Sequence, residues 1–294
     1  MIFKKRIRSS YFILVCCLLS LGSQGQNKVK FGLRAGANFT TLFSFDMDEL
    51  DSQYEQKQMR VRIGIAAVAQ ISFSNRFGLT PEIAFTQKGF YYKYEGPSYL
   101  KIPITNQTFE GHQRIVGMNI INGYFSIPIL FYVKVLKNKN LQFDLGVVPS
   151  FLVSSRGLGV LKYRDENHPD DIIEYDLNFK YARDQIGDIV GSNTRTGKID
   201  GTTISHPQTL SAYYLAEEKT SNYYKGFDMG LAVGVSYYFT PSLRLGARAC
   251  YGFMDVTSDT EDIQQSSLDE NRGFIHRSDK DRNFGVELFV GLHF

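Results

Sequence analysis

The sequence predicts an all-β protein, an eight-stranded antiparallel transmembrane β-barrel with short periplasmic turns and long extracellular loops. Three observations predict this fold class. Eight stretches alternate apolar residues with small or polar ones, at the period of two that is typical of strands. A secretory leader precedes them. The connections between them alternate long and short throughout, as they do in outer-membrane barrels.

Residues 1–25 have the three parts of a secretory signal peptide, and we expect them to be cleaved from a barrel domain that spans residues 26–294. Four basic residues come first, an apolar run follows at residues 11–21, and small residues end the segment. The apolar run is shorter than the roughly 20 residues that a membrane-spanning helix needs. Cys16 and Cys17 raise the alternative of a lipid anchor, but the bulky residues 13–15 before them argue against it.

Composition excludes several classes of function. The leader holds four basic residues and no acidic one, so its removal changes the net charge from +3 to −1, and no basic stripe remains that would bind nucleic acid. Cys250 is then the only cysteine, which excludes an internal disulfide and a cysteine metal site. No apolar run of 18 residues follows the leader, so a membrane would have to be crossed by strands.

The first four strands are predicted from apolar residues at every second position. They are residues 29–41 (outward Phe31, Leu33), 59–73 (Ile63, Ile65), 77–95 (Leu79, Ile83) and 114–135 (Ile129, Phe131). Residues 74–76 form a short hairpin turn, whereas residues 44–58 and 96–113 form longer loops. Pro128 lacks an N–H group, which predicts a bulge or a gap in pairing within the fourth strand.

The last four strands follow the same pattern. They are residues 141–155 (outward Phe143, Leu145), 223–239 (Leu231, Val233), 243–256 (Leu245, Ala247) and 283–294 (Leu288, Val290). Short turns are predicted at residues 137–140 and 240–242. Residues 156–222 are polar and predict a long, irregular extracellular loop, and residues 257–281 predict another.

The last strand ends on an aromatic residue with apolar residues two, four and six positions before it. This pattern resembles the C-terminal signal by which the barrel-assembly machinery recognises outer-membrane barrels for insertion. The residues of this insertion signal are Leu288, Val290, Leu292 and Phe294.

The inward sets hold five basic and four acidic residues. An eight-stranded barrel is just wide enough to be filled by its own side chains, and buried charges must be paired. We therefore predict a salt-bridge network that plugs the lumen, in which Arg34 and Glu287 meet across the seam between the first and last strands. A polar pore or ligand-binding lumen is the alternative, which the many inward glycines favour. The charged lumen residues are Lys30, Arg34, Arg62, Glu82, Asp144, Asp228, Arg244, Arg248 and Glu287.

Two loop segments contain residues that catalysis or metal binding could use. His276 and Ser278, with Asp279 or Asp281, supply the residue types of a hydrolase triad, but they lie in one loop, and adjacency in sequence does not make a triad. Residues 168–171 (His-Pro-Asp-Asp) offer oxygen ligands for a cation such as calcium. Neither segment has the spacing of a known site, so we interpret both as solvated loops and predict no catalytic, cofactor or metal residue.

Residues 124–130 (Tyr-Phe-Ser-Ile-Pro-Ile-Leu) resemble the Tyr-x-x-Ile-Pro-x-Leu motif of the PorT-like outer-membrane β-barrel family of Bacteroidetes, and residues 31–39 resemble its first strand. Ser126 replaces the acidic residue that this family usually has. The resemblance implies location in the outer membrane. It also implies assistance to protein export through the type IX secretion system, which is the role of the named member.

The function predicted from these observations is that of a non-enzymatic barrel with a scaffold or interaction role. Its partners would be outer-membrane lipid, the barrel-assembly machinery during insertion and a protein bound at the external loops. The first alternative is a small porin or ligand-binding barrel. The second is a lipid-modifying outer-membrane enzyme.

Overall fold

The computed structural model describes residues 29–45, 52–102, 107–135, 140–187, 191–199, 201–216, 218–271 and 273–294. The predicted signal peptide, residues 1–25, lies outside these ranges. In the described ranges the regular structure is almost entirely strand, as the predicted all-β class requires, and no helix there is long and apolar enough to cross a membrane.

Sixteen strands are found among the described residues. They are β1 (Val29–Phe45), β2 (Glu55–Ser72), β3 (Phe77–Lys88), β4 (Phe90–Ile102), β5 (Gln107–Ser126), β6 (Ile129–Val135), β7 (Leu141–Asp165), β8 (Ile172–Phe179), β9 (Thr194–Ile199), β10 (Thr202–Pro207), β11 (Thr209–Leu210), β12 (Phe227–Tyr238), β13 (Leu243–Gly252), β14 (Ile263–Leu268), β15 (Phe274–His276) and β16 (Lys280–His293).

The main sheet returns to its own first strand. β1 pairs antiparallel with β2 on one side and with β16 on the other, and the pairing continues through β13 and β12 to β7. From β7 it passes to β5 and β6, from these to β3 and β4, and from these back to β2. The sheet is therefore a closed ring, and we call these ten strands the ring.

The predicted count of eight strands is not confirmed, because two predicted strands are each divided and six further strands lie in segments predicted as loops. The first division is at Gly89, between β3 and β4. Its φ of +149° is rarely adopted by other residues, and a Cβ there would lie 2.1 Å from the Ile120 carbonyl oxygen. Thr40 Oγ1 donates to the Gly89 carbonyl oxygen at 2.7 Å and accepts from the Gly89 N–H at 3.0 Å.

The second division is at Pro128, between β5 and β6, where the sequence predicts a bulge or a gap in pairing. Pairing with the neighbours survives around it. The Glu82 N–H donates to the Pro128 carbonyl oxygen at 2.9 Å, and the Ile127 N–H donates to the Pro149 carbonyl oxygen at 2.9 Å. Backbone bonds to both neighbouring strands therefore persist at the gap, although proline has no N–H group to donate.

The two faces of the ring differ as the alternation predicts. Leu231, Val233 and Leu288 are 46%, 54% and 52% exposed on the outside, whereas Asp228 and Glu287 are 1% and 8% exposed on the inside. Exposed apolar side chains of this kind surround the ring, and we call them the apolar band. Its members include Phe31, Leu33, Ile63, Ile65, Ile83, Phe125, Phe131, Phe143, Leu145, Leu231, Val233, Leu245, Leu288 and Val290.

The segment 156–222, predicted as an irregular loop, contains much regular structure. β7 continues to Asp165, and β8, β9, β10 and β11 follow. Together with β4, residues 107–121 of β5, residues 155–165 of β7, β14 and β15, they form a unit beyond the apolar band that we call the head. The largest buried apolar cluster of the described residues lies mostly in the head and includes Tyr94, Leu100, Leu161, Ile173 and Leu210.

The prediction of a loop was wrong for a physical reason. In the head strands, inward apolar residues alternate with outward residues that are mostly polar, with Leu158, Val160 and Ile172 as exceptions, so these strands lack the apolar-outside signal of the other strands. Gly159, Leu161 and Tyr163 occupy every second position of β7, and they face inward to the head core. Residues 257–281, also predicted as a loop, contain β14 and β15 for the same reason.

A charge placed on the apolar band should destabilise the protein only if the band contacts lipid. Val233→Arg at the middle of β12 should cost about 2–4 kcal/mol in lipid vesicles. Ile186→Arg is the matched control, because Ile186 is also exposed, at 41%, but lies in the head region. Guanidinium unfolding followed by circular dichroism measures both, and equal losses would contradict lipid contact at Val233.

Candidate functional site

The interior of the ring is organised around Glu82. Glu82 lies on β3 between the outward-facing Pro81 and Ile83, and it is 2% exposed. Its carboxylate accepts from Arg34 Nη2 at 2.9 Å and from Arg34 Nε at 3.2 Å. It also accepts from Arg248 Nη1 at 3.0 Å and from Arg248 Nη2 at 2.8 Å. Two buried guanidinium groups therefore hold one buried carboxylate, and Arg248 binds both of its oxygens in the bidentate geometry that is strongest for this pair.

The Glu82–Arg248 ion pair crosses the full width of the interior. Glu82 lies on β3 and Arg248 on β13, and these strands are four pairings apart whichever way the ring is followed. Arg34, on β1, also forms an ion pair with Glu287 on β16, which is the pair expected across the seam. We call Arg34, Glu82, Arg248 and Glu287 the central cluster.

Phe289 supports the central cluster, and sequence reasoning missed its role. The guanidinium carbons of Arg34, Arg244 and Arg248 lie 5.5, 5.4 and 5.5 Å from the centroid of its ring. Such cation–π contacts are favourable when the cation is desolvated. Phe289 is the one large apolar residue in the inward set of the last strand, and that exception was the available signal.

Two inward glycines make room for these large side chains. A Cβ at Gly36 would lie 2.7 Å from Glu287 Oε1, and a Cβ at Gly246 would lie 2.4 Å from Phe289 Cζ. From the sequence alone, the many inward glycines favour open space in the lumen. The structure fills that space with charged and aromatic groups instead.

Asp228 and Asp144 belong to polar layers on either side of the central cluster. Asp228 Oδ2 accepts from Lys88 Nζ at 2.8 Å and from Asn283 Nδ2 at 3.0 Å. Asp144 Oδ1 accepts from Gln142 Nε2 at 2.7 Å. Lys88 is six residues after Glu82, so the alternation of a strand turns it inward as well. It was not predicted as a lumen residue because the alternation of apolar residues ends just before it.

The structure does not bring the other predicted lumen charges into ion pairs. Arg62 donates to Asn119 Oδ1 at 2.7 Å and to the Ile120 carbonyl oxygen at 2.8 Å. Arg244 is fully buried over Phe289 and forms no ion pair with another described residue. Lys30 is exposed at the end of β1, away from the central cluster.

Little open space remains between these layers. Toward the end of the ring that carries the short turns, Gln70 on β2 donates to Gln142 Oε1 on β7 at 3.0 Å and to the Tyr238 hydroxyl on β12 at 3.0 Å. A cavity of about 60 Å³ lies beside the central cluster and is lined by Asn38, Lys88 and Cys250 among others. A cavity of this size holds a few water molecules.

A further cluster lies beyond the apolar band, where the ring meets the head. Arg277 bridges Glu55 and Asp262, with Nη1 2.9 Å from Glu55 Oε2 and Nη2 3.0 Å from Asp262 Oδ1. Lys57 Nζ lies 2.9 Å from Asp281 Oδ1 and 3.2 Å from Glu55 Oε1. A cavity of about 110 Å³ adjoins these groups and is lined on the head side by tyrosines and by Arg114.

The groups of this outer cluster have shifted pKa values. Burial opposes the ionisation of Glu55, but the charges of Lys57 and Arg277 outweigh it and keep the pKa of this carboxyl below its ordinary value. For Asp262, burial together with the negative charges of Asp279 and Asp281 outweighs the attraction of Arg277 and raises the pKa to about 7. Burial and Asp281 also raise the pKa of Asp279.

The residues considered for catalysis are not assembled as a hydrolase would require, whereas His168 and Asp171, considered for cation binding, lie with Asp165 in a group whose ligand atoms are all within 4.8 Å of one another. His276 and Ser278 are exposed, whereas Asp279 and Asp281 are 3% and 0% exposed, so the two pairs face different sides. His168 is exposed and lies 3.2 Å from Asp165. Asp165 also accepts the backbone N–H groups of Asn167 and His168, and Asp171 accepts that of Gly201, which is the hydrogen bonding of a turn.

The predicted insertion signal lies on the outside of the last strand. Leu288, Val290 and Leu292 are exposed in the apolar band, between β13 and β1. Phe294 is 77% exposed, and its N–H donates to the Phe31 carbonyl oxygen at 2.9 Å. The four side chains therefore lie on the outer face of the last strand, and their role as an insertion signal stays a prediction.

Neutralising Glu82 should destabilise the protein strongly. Glu82→Gln leaves Arg34 and Arg248 buried without the charge that compensates both, and breaking a buried ion pair in this way costs about 3–5 kcal/mol. Glu95→Gln is the control, because the Lys93–Glu95 pair in the head is exposed and should leave the unfolding midpoint unchanged. Chemical unfolding in detergent micelles measures both variants, and equal midpoints for the two would contradict the central role of Glu82.

Comparison with solved structures finds similar proteins at low sequence identity and low TM-score. The chain is similar in structure to Neisserial surface protein A, with 13% identity, a TM-score of 0.35, and coverage of 90% of this chain and 97% of that chain. It is similar to Ail, the attachment invasion locus protein of Yersinia pestis, with 10% identity, a TM-score of 0.34, and coverage of 91% and 99%. It is also similar to the outer membrane protease OmpT from Escherichia coli, with 8% identity, a TM-score of 0.25, and coverage of 90% and 96%.

Among functionally curated proteins, none matches the sequence of this chain. The family model described as outer membrane protein beta-barrel domain matches residues 23–258, which is well over half of the chain. The chain belongs to this outer-membrane β-barrel family, and its location is the outer membrane.

Proposed function

We propose that the chain is a closed, non-enzymatic outer-membrane barrel that holds its head outside the cell to bind a partner. The observation that carries this proposal is the Glu82–Arg248 ion pair, because it joins opposite strands across the interior. A channel needs a continuous water path, and a salt-bridged interior of this width opposes one.

The barrel of this proposal has eight transmembrane strands. The ring supports that number if β3 with β4, and β5 with β6, each act as one strand that is interrupted once, at Gly89 and at Pro128. Each of the eight then carries members of the apolar band, and the first and last are neighbours. This arrangement places both ends of the barrel domain and the short turns on the periplasmic side.

The head supports a role in binding. Insertion into a membrane requires only the ring, yet the head adds several strands and a core rich in tyrosine. Leu158 and Val160, on the outer face of β7 beyond the apolar band, are 50% and 37% exposed although they are apolar. Exposed apolar residues beside the polar surface of a head suit a protein contact.

A part in protein export of the PorT type, through the type IX secretion system, is the finer form of this proposal and comes from the resemblance at residues 124–130. The residues of that motif have structural contacts here. Lys88 Nζ lies 4.6 Å from the centroid of the Tyr124 ring, and Pro128 accepts the backbone bond from Glu82. Ser126 lies 2.8 Å from Ser150, Oγ to Oγ, and Leu130 is fully buried. The motif therefore supports the architecture more directly than it supports export.

The purified full-length protein should form no steady channel in planar lipid bilayers. The central cluster and the layer at Gln70 and Gln142 each cross the interior, so ions should find no open path. Single-channel recording measures this, with a porin in the same bilayers as the positive control. Steady openings on the nanosiemens scale from wild-type protein would contradict the closed lumen and favour the porin alternative.

The outer face of the head should contact a protein, whereas the apolar band should contact lipid. A photo-crosslinking amino acid at Leu158 should capture a protein in intact outer membrane, whereas the same group at Leu231 should capture lipid. The two positions have similar exposed fractions, 50% and 46%, so access to the reagent is matched. Lipid adducts at both positions, or no protein adduct at Leu158, would contradict a binding role for the outer face of the head.

A further inference from the structure

Three carboxylates meet in a buried cluster at the junction of the ring and the head. Asp262 directly precedes β14, and Asp279 directly precedes β16. Asp281 lies near the start of β16, where it is paired with Ser44 of β1. The three residues are 3%, 3% and 0% exposed, and each offers an oxygen atom within 4.8 Å of the other two. We call these residues the acidic triad.

The hydrogen bonds of the triad leave oxygen atoms unused. Arg277 donates to Asp262 Oδ1 from Nη2 at 3.0 Å and from Nε at 3.3 Å. Asp281 accepts from Lys57 Nζ at 2.9 Å, from Thr257 Oγ1 at 3.1 Å and from Ser44. Asp262 Oδ2 and Asp279 Oδ2 are buried and have no hydrogen-bond partner among the described residues.

The charges of the cluster do not balance. With Glu55, the acidic triad holds four carboxylates, and the basic groups paired with them are Lys57 and Arg277. When all six groups are ionised, two negative charges remain uncompensated in a buried site. Such a site is unfavourable unless protons or a cation supply the missing positive charge.

We propose that the acidic triad binds one divalent cation of the calcium type. Calcium takes carboxylate oxygens at about 2.3–2.6 Å, so two of its ligands lie at most about 5 Å apart. The triad oxygens meet this limit, because all three lie within 4.8 Å of one another. The unused Oδ2 atoms of Asp262 and Asp279 supply two ligands, and Asp281 supplies the third. A charge of +2 neutralises the excess of the cluster.

The bound cation would fasten the head to the ring. Asp262 belongs to the head side, whereas Asp281 is bonded to Ser44 on β1 and to Lys57 on β2. One ion would therefore join the segment at Asp262 to the segment at Asp279 and Asp281, which is itself bonded to β1 and β2. This inference concerns the junction alone and does not depend on whether the lumen is closed.

Direct titration tests the site. Full-length protein, refolded in detergent without lipopolysaccharide and treated with EDTA, is titrated with Ca²⁺ by calorimetry and with Tb³⁺ by luminescence excited through tyrosine. Wild-type protein should bind one ion and show a rise in thermal midpoint with Ca²⁺. Asp279→Asn should weaken binding at least tenfold, and without metal it should be as stable as wild type or more so, because it removes an uncompensated charge.

Two control variants locate the ion. Asp259→Asn changes an exposed carboxylate near the triad, and Asp171→Asn changes the acidic turn at Asp165 and His168, so both should bind as wild type does. Absence of Ca²⁺ and Mg²⁺ binding by the wild type at millimolar concentration would overturn the proposal, and the cluster would then be neutralised by protons. Loss of binding in Asp171→Asn with binding kept in Asp279→Asn would also overturn it.

Discussion

The carboxylate of Glu82 is the interaction on which the interior of the barrel depends. A closed ring in lipid has one apolar surface outside and a narrow interior, so every charged group that points inward loses most of its water. Glu82 compensates Arg34 and Arg248 together, and Glu287 compensates Arg34 a second time. Because these residues come from β1, β3, β13 and β16, the same contacts that neutralise charge also join strands from opposite sides of the ring.

The remaining interior follows from that constraint. Phe289 lies beneath three guanidinium groups, and glycines at Gly36 and Gly246 leave the volume that the large side chains occupy. On either side of the central cluster, polar side chains again bond to each other inside the ring, in the Lys88–Asp228 ion pair and in the Gln70–Gln142 hydrogen bond. Polar side chains thus face polar side chains at these levels, with Arg244 held over the Phe289 ring instead, while the outside remains apolar over the same strands.

Strand parity made much of this predictable from the sequence. Once Leu288 and Val290 were placed outside, Glu287 had to point inside, and the meeting of Arg34 with Glu287 followed from the pairing of the first and last strands. Parity cannot say which distant side chains meet across the interior. It could not assign Glu82 to Arg248, nor exclude Lys30 and Arg62 from the ion pairs, because those outcomes depend on height along the barrel and on side-chain reach.

The head was less predictable because its strands face water rather than lipid. Their inward residues, such as Leu161 and Tyr163, pack in a core, but their outward positions are mostly polar. Residues 156–222 therefore have the composition of a loop, and the sequence predicts one there. The acidic triad was hidden in a similar way. Asp279 and Asp281 were noticed only as neighbours of His276, whereas Asp262, which completes the triad, comes from a different part of the same loop.

A double-mutant cycle between Glu82 and Arg248 tests the central claim most directly. Unfolding free energies of wild type, Glu82→Gln, Arg248→Met and the double variant in one lipid system give the coupling between opposite sides of the ring. If the two side chains meet across the interior, the double variant should lose about 1–3 kcal/mol less free energy of unfolding than the two single variants lose together. Losses that add within about 0.5 kcal/mol would contradict the account, because residues without contact behave in that way.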